Sequence, residues 1–223
     1  MTTPIITSTL TPEFGWNETA GRYIELSTGR FVPFAEVRDA LETVMDASAV
    51  RISQVTEQLM NGQLSIADWQ VAMMEQIKIE HTAAAAAANG GWAQMSQSDW
   101  GAVGRMIRDQ YEYLSRFAEQ LASGEQALNG VVPVRADMYA DAARATFEEM
   151  RRRYERLYNG ATEEIRVLGE ADHCNGCLEQ AGMGWQPIGT LMPIGSQECI
   201  TRCHCRFKYR RMGADRKWII TGD

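Results

Sequence analysis

Residues 172–177 read Asp-His-Cys-Asn-Gly-Cys, and residues 199–205 read Cys-Ile-Thr-Arg-Cys-His-Cys. These two stretches contain all five cysteines of a 223-residue chain. An odd number of clustered cysteines, without a secretory signal pattern, is atypical of the disulfide framework of a small secreted domain. The spacing instead predicts a metal site in a protein that resides in a reducing compartment.

The first pair, Cys174 and Cys177, forms a Cys-x2-Cys knuckle of the kind that places two sulfurs on one zinc ion. We expect Gly176 to let the turn between them tighten, because glycine accepts backbone angles that other residues avoid. The 21-residue spacer that follows is rich in Gly and Pro. Such a spacer suits a loop that returns to the same metal ion.

The second stretch offers three more sulfurs. In an extended segment Cys203 and Cys205 project from one face and His204 from the other. Cys199 lies four residues before Cys203 and can reach the same centre through a turn. His173 and His204 are weaker candidates. The predicted metal ligands are therefore five thiols for four tetrahedral positions: Cys174, Cys177, Cys199, Cys203 and Cys205.

A site with four protein ligands has no open coordination position, so it is structural rather than catalytic. Zinc in such a site contributes on the order of 10 kcal/mol to folding. This matters because a Gly-rich tail of this size cannot bury an adequate core of its own. The sequence therefore predicts one structural zinc ion in a C-terminal module.

The chain before the cysteines has helical periodicity. Apolar residues recur at steps of three and four, and Ser65 with Asp68 and Ser96 with Asp99 are typical helix-start signals. Four helices are predicted: one at about 34–60, one that opens at Ser65 and stops at Asn89, one that opens at Ser96 and closes at Ser123-Gly124, and one at about 134–158. Short Gly-marked connections favour an antiparallel bundle.

The predicted fold is mainly α. Residues 1–20 lack periodicity and are expected to fold only against another surface. Residues 23–25 and 30–32 are expected to form a small hairpin with Gly29 in its turn. The predicted divisions are an N-terminal arm and hairpin at 1–33, a helical domain at 34–168 and a zinc-stabilised module with a basic tail at 169–223.

Charge is distributed unevenly. The net charge is −7, yet residues 151–223 hold 12 Lys and Arg against 9 Asp and Glu. Contact with DNA is one interpretation of the basic run Arg206, Lys208, Arg210 and Arg211. The favoured interpretation is a strand whose aromatic residues pack onto the metal module. The arginines at 151–153 and 156 are expected on a solvated helix face.

Several functional classes find little support in the sequence. No stretch approaches the roughly 18 apolar residues of a membrane helix, and neither a phosphate-binding loop nor H-E-x-x-H is present. Two alternatives remain: a nucleic-acid-binding adaptor that uses the basic tail, and a metal-dependent hydrolase that uses carboxylates such as Asp172, Glu179 or Glu198.

The cysteine region resembles a known family. The patterns A-D-H-C-x2-C, G-W-x-P-I-G-T-L and C-x3-C-H-C-R-F-x-Y-R within residues 171–210 are similar to the C-terminal module of phage minor head proteins, the head-morphogenesis proteins related to the F protein of phage Mu. Residues 21–32 and 161–164 also resemble such sequences. In the family a histidine commonly precedes the last cysteine pair by three residues. Here that position is Ile200, and Cys199 lies one residue earlier.

The resemblance implies a role in the virion. It implies a minor head, capsid or head–tail component, present in few copies near the portal, that acts in head assembly without catalysis. Its expected partners are the portal protein, the major capsid protein, other virion proteins or further copies of itself, with no membrane. Its expected location is the virion, and the host cytoplasm during assembly.

Overall fold

The computed structural model describes residues 13–221, which are mainly helical and carry two small antiparallel sheets. The helices are α1 (Phe34–Met60), α2 (Ile66–Ala88), α3 (Gln97–Ser123), α4 (Val131–Asp141), α5 (Ala143–Leu157) and α6 (Asn175–Gly182). The strands are β1 (Phe14–Asn17), β2 (Arg22–Glu25), β3 (Glu163–Val167), β4 (Gln186–Pro187), β5 (Arg206–Met212) and β6 (Trp218–Thr221). Helix α2 lies at the centre of the helical part, in contact with α1, α3 and α5.

The predicted starts of α2 and α3 are confirmed. Ser65 Oγ accepts a hydrogen bond from the Asp68 backbone N–H at 3.1 Å. At α3 the Ser96 and Asp99 side chains each accept from the other's backbone N–H, which is a complete capping box. Gly124 ends α3 in the left-handed conformation, at φ 77°.

The predicted fourth helix, 134–158, is wrong in its start and in its continuity. It begins at Val131, whose N–H donates to Asn129 Oδ1 at 3.0 Å. Pro133 fits there because first-turn residues need no intrahelical donor. The helix is then interrupted at Ala142, since α4 packs on α1 whereas α5 packs on α2.

Residues 13–20 of the expected arm at 1–20 fold against this chain's own hairpin and helical core, and residues 1–12 lie outside the described part. Strand β1 pairs with β2, and Trp16 on β1 is buried in the helical core. Trp16 packs so closely on Gly90 that a Cβ there would lie 2.3 Å from the indole ring. The predicted turn is present, with Gly29 at φ 68°. The predicted second strand of the hairpin, 30–32, is reduced to a single β-bridge between Phe31 and Ile24.

The C-terminal end of α2 consists of six alanines, residues 83–88, which are all buried. The last four carbonyls of the helix lack partners within it and accept hydrogen bonds from groups outside it. The Asn89 side chain and the Gly91 N–H each bond one of them, both at 2.8 Å. The Tyr23 hydroxyl bonds Ala87 O, and Arg151 Nη1 lies 3.4 Å from Ala88 O. The small side chains let these distant donors reach the helix backbone.

The arginines of α5 do not form the solvated face that the sequence suggests. Arg151 and Arg152 are buried, and only Arg156 is fully exposed. Arg151 pairs with Glu155 and lies 3.6 Å from the centre of the Phe34 ring. Each buried guanidinium has a carboxylate within reach, which is the condition under which a charge is tolerated in an interior.

Helix α5 also connects the helices to the larger sheet, whose strand order is β4-β3-β5-β6. Arg152 Nε lies 2.9 Å from Glu164 Oε2 on β3, and Glu148 Oε2 accepts from the Phe207 N–H on β5 at 3.1 Å. Arg144 on the same helix donates to Thr201 O at 3.3 Å. Strand β3 lies before the predicted boundary at residue 168, and it pairs with β5 beyond it.

We predict that Arg152→Ala lowers the free energy of unfolding by about 3–5 kcal/mol, because it leaves the buried Glu164 carboxylate without its partner. Arg156→Ala, one turn later on the exposed side of α5, is the matched control and should cost less than about 1 kcal/mol. Urea unfolding followed by circular dichroism measures both. Equal effects of the two substitutions would contradict the role given to the Arg152–Glu164 pair.

Candidate metal centre

The first cysteine pair lies at the start of α6. Cys174 is the residue before the helix, and Cys177 is buried in its first turn. The positive end of the helix dipole there favours thiolate over thiol. Gly176 has no left-handed conformation, contrary to the reason expected from the sequence. Its backbone instead lies against the next loop, where a Cβ would come within 2.1 Å of Gln197 Oε1.

The second stretch brings its sulfurs to the same place as predicted. A short 3-10 turn, Ile200–Arg202, follows Cys199 and returns the chain to Cys203. Cys203 and Cys205 are both buried, whereas His204 between them is exposed. The expected alternation of an extended segment is therefore confirmed.

The distances between sulfurs suit metal ligands. Cys177 Sγ lies 3.6 Å from Cys199 Sγ and 3.7 Å from Cys203 Sγ. A tetrahedral ion with metal–sulfur bonds of about 2.3 Å separates its ligand sulfurs by about 3.8 Å. The sulfurs form two groups whose members all lie within 4.8 Å of one another: Cys174, Cys177 and Cys199, and Cys177, Cys203 and Cys205. The cluster could hold a metal ion, and Cys177 belongs to both groups.

The surroundings of the sulfurs favour negative charge at Cys203 and oppose it at three of the other cysteines. The buried Arg166 on β3 donates through Nη1 to Cys177 Sγ at 3.5 Å. A hydrogen bond from the Cys205 thiol, opposed by burial, lowers the pKa of Cys203 to about 4. The same contact, with burial, raises the pKa of Cys205. Burial likewise raises the pKa of Cys177 and of Cys199. One thiolate thus exists readily at neutral pH, and an ion would have to displace the other protons.

The weaker candidates for metal ligands lie at the edge of the sulfur cluster. His173 is turned toward Gly169 O, 2.9 Å from its Nε2, with its Nδ1 3.8 Å from Cys205 Sγ. Asp172 and Glu179 are exposed, and Glu198 accepts from the Gly176 N–H at 3.3 Å. Within residues 13–221, the groups close enough to share an ion contain cysteine alone.

Strand β5 confirms the favoured interpretation of the basic run. Phe207 and Tyr209 are buried in one apolar cluster with the cysteines. Arg210 pairs with Glu163 at 2.5 Å, and its guanidinium lies over the rings of Trp185 and Trp218 at 4.4 and 4.0 Å. Arg210 therefore has a structural role within this sheet.

Sequence analysis missed two residues of this centre, Arg166 and Glu164. Glu164 accepts from the backbone N–H groups of Gly189 and Leu191 at 3.0 and 3.1 Å and so fixes the spacer loop. Arg166 donates to the Met192 and Pro193 carbonyls as well as to Cys177. The only signal for them is two charges separated by one residue in Glu-Glu-Ile-Arg-Val, a pattern typical of a half-exposed strand.

Comparisons with known proteins give no relative. The chain matches no model of a protein family, no curated protein and no solved structure. Between residues 13 and 221, no helix combines the length and apolar character that crossing a membrane requires. The family resemblance of residues 171–210 thus stays a prediction from the sequence.

We predict that Gly169→Ala disrupts the centre, because a Cβ there would lie 2.1 Å from the backbone oxygen of His204, between two of the cysteines. Overpacking against backbone should lower the free energy of unfolding by about 1–3 kcal/mol. Gly182→Ala, where a Cβ meets nothing within 4 Å, is the control and should be neutral or slightly stabilising. Thermal unfolding of both variants measures the difference. A Gly169→Ala protein as stable as Gly182→Ala would show that the two segments are not in contact.

Proposed function

We propose that the cysteine cluster holds one structural zinc ion, and that the chain is a non-catalytic structural protein of a phage virion. The observation that carries the metal assignment is the convergence of sulfurs from two segments around the buried Cys177. Zinc is the ion that suits an all-sulfur tetrahedral set in a chain without other cofactor signals. Four thiolates on Zn²⁺ leave a charge of about −2, and Arg166 lies where it would offset part of that charge.

A closed set of sulfur ligands supports a structural role over a hydrolytic one. A catalytic zinc ion keeps a position for water, and the carboxylates that a hydrolase would need do not join the sulfur groups within residues 13–221. The zinc-stabilised module would then be a rigid element on a helical bundle. It presents an exposed strand, β6, whose Trp218, Ile219 and Ile220 are each more than 40% exposed. Such a surface suits contacts between proteins.

The virion role is supported by the resemblance of residues 171–210 to the minor head proteins. We propose that the protein acts in head assembly, at the head or head–tail region, through contacts with the portal protein, the major capsid protein or other virion components. The alternative adaptor function would use Arg206, Lys208, Arg210 and Arg211 on nucleic acid. Arg210 is engaged by contacts within the sheet, so this alternative is less favoured than the virion role.

We predict that the purified protein contains one zinc ion per chain and that Cys177→Ser weakens zinc binding most among the five single cysteine variants. Removing Cys177 breaks both sulfur groups, whereas any other single substitution leaves one group intact. Zinc affinity should fall by more than about 100-fold, which is the largest loss typical of removing a residue that only supports a metal ligand. Competition with a chromophoric chelator measures it. A purified protein that contains no zinc and does not take it up, or equal losses in all five variants, would contradict the assignment.

Cobalt substitution tests the absence of catalysis. A spectrum of four thiolate ligands without exchangeable water is the expected result, and an open position would favour the hydrolase instead.

The virion role has its own test. Mass spectrometry of particles purified from the host that encodes this chain should detect the protein in low copy number in the head. Its absence from wild-type heads would overturn the virion role and leave the zinc assignment untouched.

A further inference from the structure

A cleft of about 510 Å³ lies between α3 and α5. Five arginines line it, against the carboxylates of Asp109 and Glu149: Arg105, Arg108, Arg152, Arg153 and Arg156. The lining groups sum to a formal charge of +3, but Asp99, Glu112 and Glu164 beside them pair with Arg153, Arg108 and Arg152. With these partners included, five arginines meet five carboxylates, and within residues 13–221 the guanidinium groups of this set without an ion pair are those of Arg105 and Arg156. Unpaired guanidinium groups on the wall of a cleft attract ligands of the opposite sign.

Two of these arginines are fixed in place. Arg152 is held by Glu164 at 2.9 Å and by Glu149 at 3.2 Å. Arg153 donates to Asp99 Oδ1 at 2.7 Å and also bonds Ser98 Oγ. Their charges are paired and their side chains are held, so they form a fixed floor to the cleft and leave the spare N–H groups to the other three arginines.

The other three arginines have N–H groups that are available to a ligand. Within residues 13–221, Arg105 forms neither a hydrogen bond nor an ion pair, and Arg156 interacts only through its charge with Glu149. Arg108 lies 3.5 Å from Asp109 and 3.8 Å from Glu112, with all three side chains more than half exposed. Exposed pairs of this kind are weak. An incoming anion can therefore take the N–H groups of Arg105, Arg108 and Arg156.

We propose that this arginine cleft binds phosphate, in a ligand that presents two or more phosphate groups. Guanidinium groups bond phosphate oxygens in pairs, and arginine is the usual residue for recognising phosphate. Arg105 and Arg156 have no ion pair and Arg108 is only weakly paired, so a ligand with two or more phosphate groups engages more of these guanidinium groups than a single phosphate does. The volume lies within the range of roughly 300–1,000 Å³ that small-ligand sites occupy, which is too large for a single phosphate ion. The proposal is independent of the zinc ion and of the virion role.

Calorimetric titration of the full chain with inorganic pyrophosphate, at low ionic strength and without other multivalent anions, tests the site. The variant Arg105→Gln/Arg108→Gln/Arg156→Gln should lose affinity by at least about tenfold, since each lost contact is a charge-assisted hydrogen bond. All three side chains are exposed, so the fold should persist. Circular dichroism verifies this, and Arg105→Gln alone serves if the triple variant unfolds.

The matched control removes the same charge from elsewhere. Arg30, Arg216 and Lys217 lie exposed outside the cleft, and Arg30→Gln/Arg216→Gln/Lys217→Gln should change the affinity by less than about twofold if the contact is local. Equal losses in both triple variants would mean that only overall charge matters and would overturn the cleft. So would a loss confined to the control variant, or no binding of pyrophosphate and of an oligonucleotide by the wild type.

Two further probes separate the source of the phosphate. A single-stranded oligonucleotide of about ten nucleotides presents phosphates along a strand, and three contacts predict a slope of log K against log salt of about −2. Binding of either probe that is lost in the cleft variant supports the site. Tighter binding of the oligonucleotide indicates phosphate carried on a strand, and tighter binding of pyrophosphate indicates free phosphate. Poly-glutamate that binds as tightly as either would overturn the preference for phosphate.

Discussion

The buried charge of Arg152 constrains the whole molecule, because a guanidinium removed from water is costly unless acceptors surround it, and Arg152 has a carboxylate at contact distance. That carboxylate is Glu164, which stands on a strand and not on a helix. Glu164 uses its other oxygen to hold the backbone of the spacer loop. One ion pair thus specifies how α5 meets the sheet and where the loop between the two cysteine stretches runs. Apolar packing alone is less directional and would permit the sheet to slide along the helix.

The sulfur cluster benefits from this arrangement. The chain around Cys203 and Cys205 is held from outside, through the Thr201 carbonyl bonded to Arg144 and the Phe207 N–H bonded to Glu148. Sulfurs that are already close before an ion binds lose less conformational entropy when it does. The helical part and the cysteine part therefore stabilise each other, and the zinc-binding proposal does not require the ion to organise an otherwise unfolded tail.

Local signals in the sequence were enough for the elements that depend on local chemistry. The caps at Ser65 and Ser96, the Gly124 terminus and the same-face position of Cys203 and Cys205 follow from neighbouring residues alone. The break at Ala142 and the burial of Arg151 and Arg152 do not, because they depend on which distant element packs alongside. Four arginines near a helix end resemble a solvated face in the sequence, and only the position of Glu155 and Glu164 in space makes Arg151 and Arg152 interior. The same limit applied to Trp16, whose site exists only because Gly90 has no side chain.

The alanine end of α2 is completed by donors 63 and 64 residues away in sequence, on α5 and on the N-terminal hairpin. An ordinary helix terminus frays independently of the rest of a protein, on a short timescale and at little cost. Here fraying would strip partners from Tyr23 and Arg151 at once, so the last turn opens only when two other segments also detach. The slowest amide hydrogens to exchange with solvent should then include this terminus, which makes a helix end part of the cooperative unit of the fold.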